Sequence, residues 1–224
     1  KKTVLARIAS APHIFWTALF IVVPIIFVAY YSFTDANFNF TFDNITAFFS
    51  EKYLSIFWRS VKLALIATLI CFIIGYPAAY FIARSSQRKQ KILIMLVMLP
   101  MWMNFLIRTY AWMAIMQDSG IINSVLGSIG LKPIRMMYTE GAVIVGMVYD
   151  FLPYMILPIY SVMTKLDFRL IEAAQDLGCN KLGVMRRVIL PLSVPGIISG
   201  ITMVFVPSIS TFYISQKLGG GRFM

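Results

Sequence analysis

Long apolar runs separated by short polar connections dominate the chain. Each run holds about 20 predominantly apolar residues, enough at ~1.5 Å of rise per residue for a helix to cross a hydrocarbon core of ~30 Å. The runs are continuous and do not alternate between apolar and polar positions, which favours helices over the strands of a barrel. The pattern predicts five membrane spans, at about 14–33, 61–83, 92–116, 142–163 and 188–214.

The composition agrees with a membrane-embedded chain. Of its 224 residues, 59% are hydrophobic and 13% charged, whereas about a quarter of a soluble domain is charged. The net charge of +11 could suit nucleic acid, but the basic residues cluster in short connections, as in cytoplasmic loops that face anionic lipid. We therefore predict an all-α polytopic membrane protein, a single transmembrane domain over 1–224, surrounded by lipid and without a nucleic-acid partner.

The positions of lysine and arginine predict the orientation. Alternate connections of a five-span bundle lie on one side of the membrane, and here they hold most of the basic residues, whereas the opposite connections are mixed or acidic. The basic side is expected to be cytoplasmic, and with it the N-terminus. The residues that set this orientation are Lys1, Lys2, Arg7, Arg84, Arg88, Lys89, Lys91, Lys165, Arg169, Lys181, Arg186 and Arg187.

The cytoplasmic connection 164–187 contains a predicted surface helix. Asp167 suits its N-cap and Gly178 its C′ position, while Asn180 can cap a second short helix. The first helix cannot bury its apolar stripe within so short a loop, so we expect it to dock on a partner, or else to lie on lipid headgroups. The stripe recurs at helical spacing and consists of Leu170, Ala173, Ala174 and Leu177.

This connection resembles the EAA loop of ABC-importer permeases. Glu172-Ala173-Ala174 is followed after three residues by Gly178, and after nine more by Val188-Ile189-Leu190-Pro191. The family usually has isoleucine where this chain has Val188. The resemblance implies a type I ABC-importer permease bundle, whose loop docks on a separate cytoplasmic ATPase. The implied ATPase-coupling residues are Leu170, Glu172, Ala173, Ala174, Asp176, Leu177 and Gly178.

Permeases of this family usually carry a sixth helix after the EAA half. No apolar run follows the fifth span here, and the sequence stops at Met224. We therefore expect five spans in this sequence, with the sixth missing from its C-terminus, either because the chain is truncated or because its end lies beyond the residues given, and we favour the second.

No motif for nucleotide binding or catalysis is found. Gly219-Gly220-Gly221 is followed by Arg222 and not by the lysine and helix of a phosphate-binding loop, so it predicts an outer turn. No zinc-protease, paired-cysteine or Ser/His/Asp pattern occurs either. We predict a non-catalytic transport subunit without catalytic residues, metal ligands or a cofactor of its own, and expect ATP and Mg on the partner ATPase.

Two charged residues interrupt the predicted spans, Arg108 in the third and Asp150 in the fourth. A charge inside a span costs about 2.5–3.5 kcal/mol on insertion scales, so each should face a cavity or a partner. Both lie at a similar depth on antiparallel neighbours, which makes them candidate partners for each other. Two interpretations stay open: an ion pair that fixes helix packing, or residues that line a substrate path.

Polar and aromatic residues near that depth extend the candidate path. Asn104, Arg108 and Trp112 recur at a helical spacing of four, and Asp150 and Tyr154 do the same. An anion beside aromatic rings suits a cationic, partly apolar ligand, although helix packing would explain any single ring. Ser208 lies at a predicted outer gate. The full set is Asn104, Arg108, Trp112, Tyr149, Asp150, Tyr154, Ser208 and Tyr213.

Three longer segments, 104–112, 153–160 and 211–221, are similar to the spermidine/putrescine importer permeases, in particular to the first of the two sister permeases. The resemblance implies polyamine transport across a bacterial cytoplasmic membrane. It also implies a sister permease, two copies of a cytoplasmic ATPase and an extracytoplasmic substrate-binding protein as partners. The alternatives are a permease for another solute such as iron, sulfate or a sugar, an ion-coupled carrier, or a membrane scaffold.

Overall fold

A computed structural model describes residues 12–35, 38–167 and 169–220, with the side chains of 212 and 213 left out. The described residues are mostly helical, which confirms the all-α prediction, and among them the only β-pairing is the isolated bridge Thr34–Phe40. The helices are α1 (Pro12–Ser32), α2 (Asp43–Phe48), α3 (Glu51–Ala83), α4 (Gln87–Trp102), α5 (Phe105–Met116), α6 (Ile121–Ser128), α7 (Glu140–Met163), α8 (Arg169–Asp176), α9 (Lys181–Ser210) and α10 (Phe212–Gly219).

The described residues up to Phe57 form one compact unit. Its helix α1 is apolar along its length and buries none of its residues, as expected of a helix that is surrounded by lipid or packs against a partner protein. The end of α1 is tied to α2 because the Asn44 side-chain amide donates hydrogen bonds to the carbonyl oxygens of Tyr31 and Thr34, each at 3.0 Å. The first predicted span, 14–33, therefore corresponds to α1.

Residues from Trp58 onward form the second unit, a helical bundle with two hydrophobic clusters. One cluster joins the C-terminal halves of α3 and α7 to α8 and α9, and includes Ile82, Ile159 and Ile189. The other joins the N-terminal half of α7 to α3, α5 and α10, and includes Met147 and Ile214. Helix α7 is thus the central element, and its two ends carry different neighbours.

Helices α7 and α9 approach each other closely because α9 presents glycine at the contact. A Cβ added at Gly196 would lie 3.0 Å from the Pro158 carbonyl oxygen, and one added at Gly200 would lie 2.9 Å from Met155 Sδ. These glycines form the small-x3-small step that lets two helix backbones pack side by side in lipid. The close packing gives the bundle a rigid central pair.

The third predicted span, 92–116, is not one helix. Helix α4 ends at Trp102, the following segment begins at Phe105, and the two are bent by 92°. Pro100 removes a backbone donor near the end of α4. Asn104 then starts a new helix, since its side chain accepts a hydrogen bond from Leu106 N at 2.8 Å. The sequence contains both signals, but the unbroken apolar run concealed the break.

The fifth predicted span, 188–214, begins earlier and ends differently. Helix α9 already starts at Lys181 and includes a π-helical turn, Met185–Ile189. It stops at Thr211, after which α10 folds back onto α7. A Cβ at Gly146 would lie only 2.5 Å from Leu218 Cδ1, so this glycine is where α10 lies against α7.

Four described helices are long and apolar enough to cross a membrane: α1, α3, α7 and α9. The bent pair made of α4 and the segment Phe105–Ser128 brings the number to five if it counts as one broken span. The expectations that rest on Lys1, Lys2, Arg7 and on the chain after Gly220 concern residues outside the described ranges.

Candidate functional site

Helix α8 has well-formed ends, as the sequence predicts. At its start, Asp167 Oδ1 accepts a hydrogen bond from Arg169 N at 3.0 Å. At its end, Gly178 adopts a φ of +82°, a left-handed conformation that costs glycine little. The backbone N–H groups of Gly178 and Cys179 donate to the carbonyl oxygens of Gln175 and Ala174, at 2.9 and 3.0 Å. This is a Schellman motif, and it confirms Gly178 as the C′ residue.

The second predicted cap is also confirmed. Asn180 precedes α9 and its Oδ1 accepts a hydrogen bond from Gly183 N at 2.7 Å. The connection between α8 and α9 therefore consists of only four residues, 177–180, and the two caps occupy it. Because both helix ends are fixed, α8 is held at a defined place beside the base of α9.

The predicted apolar stripe of α8 divides between two environments. Ala174 turns inward with Ile171, which is 6% exposed and belongs to the hydrophobic cluster under the helix. Leu170 remains 49% exposed and Leu177 87% exposed, and Ala173 lies between them on the same side. No described residue of the chain covers this outer face, formed by Leu170, Ala173 and Leu177. Glu172 and Asp176, one turn apart, are exposed beside it.

Ile171 is the anchor that the sequence analysis missed. It packs in one cluster with Ala83 at the end of α3, Met163 at the end of α7 and Val184 near the start of α9. The ends of three long helices therefore meet beneath α8. The available signal was the i, i+3 pairing of Ile171 with Ala174, which places a second apolar face on the same short helix. A force applied to α8 would reach all three helices.

A polar clasp at the same end of the bundle was also missed. Gln90 Nε2 donates hydrogen bonds to the carbonyl oxygens of Ala83 and Ser85, at 3.0 and 2.8 Å, and Gln90 Oε1 accepts one from Tyr160 Oη at 3.1 Å. Because Ala83 is the last residue of α3 and Ser85 lies in the connection to α4, Gln90 ties this corner of the bundle to α7. Nothing in the sequence marks this residue, because Gln90 lies in the polar start of α4, Gln87-Arg88-Lys89-Gln90-Lys91.

The candidate path centres on a buried ion pair. Arg108 Nη1 lies 3.0 Å from Asp150 Oδ1, and the two side chains are 10% and 4% exposed. The structure thus joins the two intramembrane charges that the sequence marked as candidate partners. Arg108 is therefore neutralised by Asp150 and does not stand alone as a positive charge.

The pair is close but poorly aligned. Arg108 Nε, Arg108 Nη1 and Asp150 Oδ1 are buried, and none makes a hydrogen bond of good geometry with the described residues. The 3.0 Å contact therefore supplies charge attraction without the directional hydrogen bonds of a typical arginine–carboxylate pair. The guanidinium carbon also lies 5.8 Å from the centre of the Phe105 ring, a cation–π contact.

The other candidate path residues are in different situations. Trp112 and Tyr149 contact each other edge to face, with ring centres 5.3 Å apart. Tyr154 is 38% exposed, and Asn104 is an exposed helix cap. Ser208 is buried, but its hydroxyl donates to the Val204 carbonyl within its own helix at 2.6 Å. The side chain of Tyr213 is outside the described part of the chain.

A cleft of about 380 Å³ lies at the end of the bundle opposite α8. Its wall is held by Asn123, whose Nδ2 donates to the carbonyl oxygen of Ile134 at 3.1 Å and whose Oδ1 accepts from Ile134 N at 2.8 Å. The cleft was not predicted from the sequence, because it forms only when the chain before α6 and the chain after it fold against each other. Its lining residues are Met113, Gln117, Asp118, Ser119, Arg135, Met137 and Tyr138.

A bundle of apolar helices long enough to cross a membrane, with a short amphipathic helix at one end and a cleft at the other, places the chain among the multi-pass α-helical membrane proteins. Residues 75–224 match the family model described as binding-protein-dependent transport system inner membrane component. The chain belongs to this family. It is therefore a multi-pass inner-membrane transport subunit, as the EAA loop predicted.

Several relatives are similar over most of the chain. The spermidine/putrescine transport system permease protein PotB of Haemophilus influenzae is 41% identical over 92% of this chain and 75% of its own length. The protein of the same name from Escherichia coli is 40% identical over 92% of this chain and 78% of its own. The inner membrane ABC transporter permease protein YdcU of Escherichia coli is 30% identical over 80% of this chain and 62% of its own length.

Solved structures confirm the fold. A chain of a bacterial ABC transporter that imports the acidic polysaccharide alginate superimposes with a TM-score of 0.74 at 19% identity, over 99% of this chain and 87% of that one. The same transporter type in complex with an alginate pentasaccharide-bound periplasmic protein superimposes with a TM-score of 0.74 at 18% identity. The type I permease bundle predicted from the EAA loop is therefore the fold of this chain.

Proposed function

We propose that this chain forms one half of the translocation path of an ATP-driven polyamine importer. The observation that carries the substrate assignment is the 41% identity, over 92% of the chain, with a permease named for spermidine and putrescine. A buried carboxylate, Asp150, follows Tyr149 of the aromatic pair Trp112–Tyr149 in the chain, and an anion with aromatic rings at the same level suits a cationic ligand with an apolar backbone. The path would run past this level of the bundle.

Helix α8 would couple the path to a separate ATPase, which would hold ATP and Mg. Its outer face, formed by Leu170, Ala173 and Leu177, is apolar and uncovered by described residues, while Ile171 fixes the helix to the ends of α3, α7 and α9. Closure of two ATPase copies on ATP would pull this helix toward the corresponding helix of a sister permease. The helix ends joined beneath Ile171 would then move together and open the core outward.

The proposed orientation follows from charge. Lys165 and Lys181 flank α8 and Arg169 is its first residue, as expected of a loop on the cytoplasmic side. The cleft near Arg135 would then face outward, where a substrate-binding protein could dock and release its ligand. The N-terminus would lie in the cytoplasm.

Uptake of radiolabelled putrescine and spermidine tests the substrate. Cells that lack this chain are expected to lose the uptake, and the restored wild-type gene should return it. Competition by excess unlabelled iron, sulfate and sugar serves as the control for specificity and should leave polyamine uptake unchanged. Polyamine uptake that is unaffected by deletion would contradict the proposed substrate.

A further inference from the structure

We propose that Arg108 acts as a built-in competitor for the substrate, so that an ammonium group of the polyamine replaces Arg108 on Asp150 as it passes and Arg108 returns when it leaves. This inference rests on the proposed function. It assigns Arg108 a role in the release of the substrate. Arg108 cannot attract the substrate, because both carry a positive charge.

The geometry of the pair carries the inference. Arg108 is 9% exposed and Asp150 3% exposed, yet Arg108 Nε and Nη1 and Asp150 Oδ1 lack aligned hydrogen-bond partners among the described residues. Buried polar atoms are nearly always satisfied, so three that are not indicate an arrangement that is incomplete in this state. A small ammonium group with three donors can adjust to Oδ1 in a way that the planar guanidinium does not here.

Charge balance explains why a transporter would hold such a pair. A lone carboxylate in an apolar bundle is costly, and it would also retain any cation that reached it. Exchange of Arg108 for an ammonium group keeps one positive charge beside Asp150 at each stage. The displaced guanidinium retains the contact with the Phe105 ring, 5.8 Å from its centre, so it is not left without a partner.

A purely structural role of the pair predicts a different result. If the pair only fixes α5 against α7, then removing both charges together should restore folding and transport alike, because a buried pair can be replaced by neutral side chains without loss of stability. If the pair exchanges with substrate, the doubly neutral variant should fold but should neither bind nor carry the polyamine well. The double variant therefore separates the two explanations.

The test uses the complete importer, purified with its partners, and equilibrium binding of radiolabelled spermidine. Arg108→Gln removes the competitor and should bind spermidine about tenfold tighter than wild type while transporting it more slowly. Asp150→Asn and the double variant Arg108→Gln/Asp150→Asn should bind at least about tenfold more weakly than Arg108→Gln. Arg59→Gln removes the same charge from a partly exposed pair with Glu140 and serves as the matched control.

The outcomes are distinct. Unchanged or weaker spermidine binding by a folded Arg108→Gln variant would overturn the exchange role, as would wild-type uptake by the double variant. If Arg108→Gln does not fold, uptake by the double variant alone decides between the exchange role and a purely structural role of the pair. Absence of polyamine uptake in the wild-type importer would instead overturn the proposed function, and the exchange role with it.

Discussion

At the scale of single residues, Gly178 combines a backbone requirement with a place next to the proposed docking surface of α8. Its φ of +82° requires a residue that tolerates the left-handed region, and a Cβ built there would meet no atom of the described chain within 4 Å. The chain itself therefore restricts the conformation at this position but not the side-chain volume. Any intolerance of volume or charge at Gly178 would come from a partner.

The substitution Gly178→Asp is predicted to uncouple transport while the protein still folds. Aspartate tolerates the left-handed region better than most residues, so the folding cost is about 1 kcal/mol. The new carboxylate would stand next to Leu177 on the outer face of α8, and we expect uptake and substrate-stimulated ATPase activity to fall at least about tenfold. Polyamine uptake and ATPase assays on the assembled importer measure both.

The matched control is Gly130→Asp. Gly130 also has a positive φ, +77°, with no described atom within 4 Å of a Cβ, but it lies in the connection after α6. Its backbone cost is the same, so wild-type uptake is expected. Normal ATPase stimulation in Gly178→Asp, or an equal loss of uptake in both variants, would contradict the coupling role of this position.

At the scale of helices, the sequence predicted which segments are helical better than it predicted where they break. Spans two and four correspond to α3 and α7, because an unbroken apolar run of about 20 residues has few alternatives in lipid. The third run conceals a bend of 92°. Pro100 and Asn104 each permit a break, but prolines within α3, α7 and α9 are accommodated without one. Tertiary contacts decide whether a helix breaks at such a residue, and these contacts cannot be read from a single sequence.

In the candidate site too, local features could be predicted from the sequence and long-range contacts could not. The caps Asp167, Gly178 and Asn180 were predictable because they act within one turn of their own helix. The anchor Ile171 and the clasp at Gln90 were not, because their partners lie on other helices and far away in sequence. Arg108 and Asp150 are the exception, since a charge in an apolar run demands a partner and few were available.

The clasp at Gln90 gives a prediction for stability. Gln90→Leu removes the donors to the Ala83 and Ser85 carbonyls and the acceptor for Tyr160, so we expect the free energy of unfolding to fall by about 1–3 kcal/mol. Thermal unfolding of the detergent-solubilised protein measures it. The control is Gln87→Leu, the same change at an exposed position at the start of α4, and an equal loss of stability there would show that the clasp has no specific role.

At the scale of the whole molecule, an anchored surface helix and a buried ion pair lie in different halves of the second unit. Helix α7 connects them, since Met163 at its end packs with Ile171 beneath α8 and Asp150 in its middle holds Arg108 of α5. The close contact of α7 with Gly196 and Gly200 of α9 makes independent movement of these helices costly. Movement of α8 would therefore be transmitted to the level of the pair by rigid helices.

The central claim, that the outer face of α8 docks on a cytoplasmic ATPase, is tested most directly by site-specific photo-cross-linking in intact cells. A photoreactive residue at the exposed position Ala173 is predicted to capture a protein that mass spectrometry identifies as carrying a nucleotide-binding P-loop. The same residue at Leu131, which is 56% exposed in the connection after α6, should not capture it. Cross-links from Ala173 only to lipid or to an extracytoplasmic protein would contradict the account.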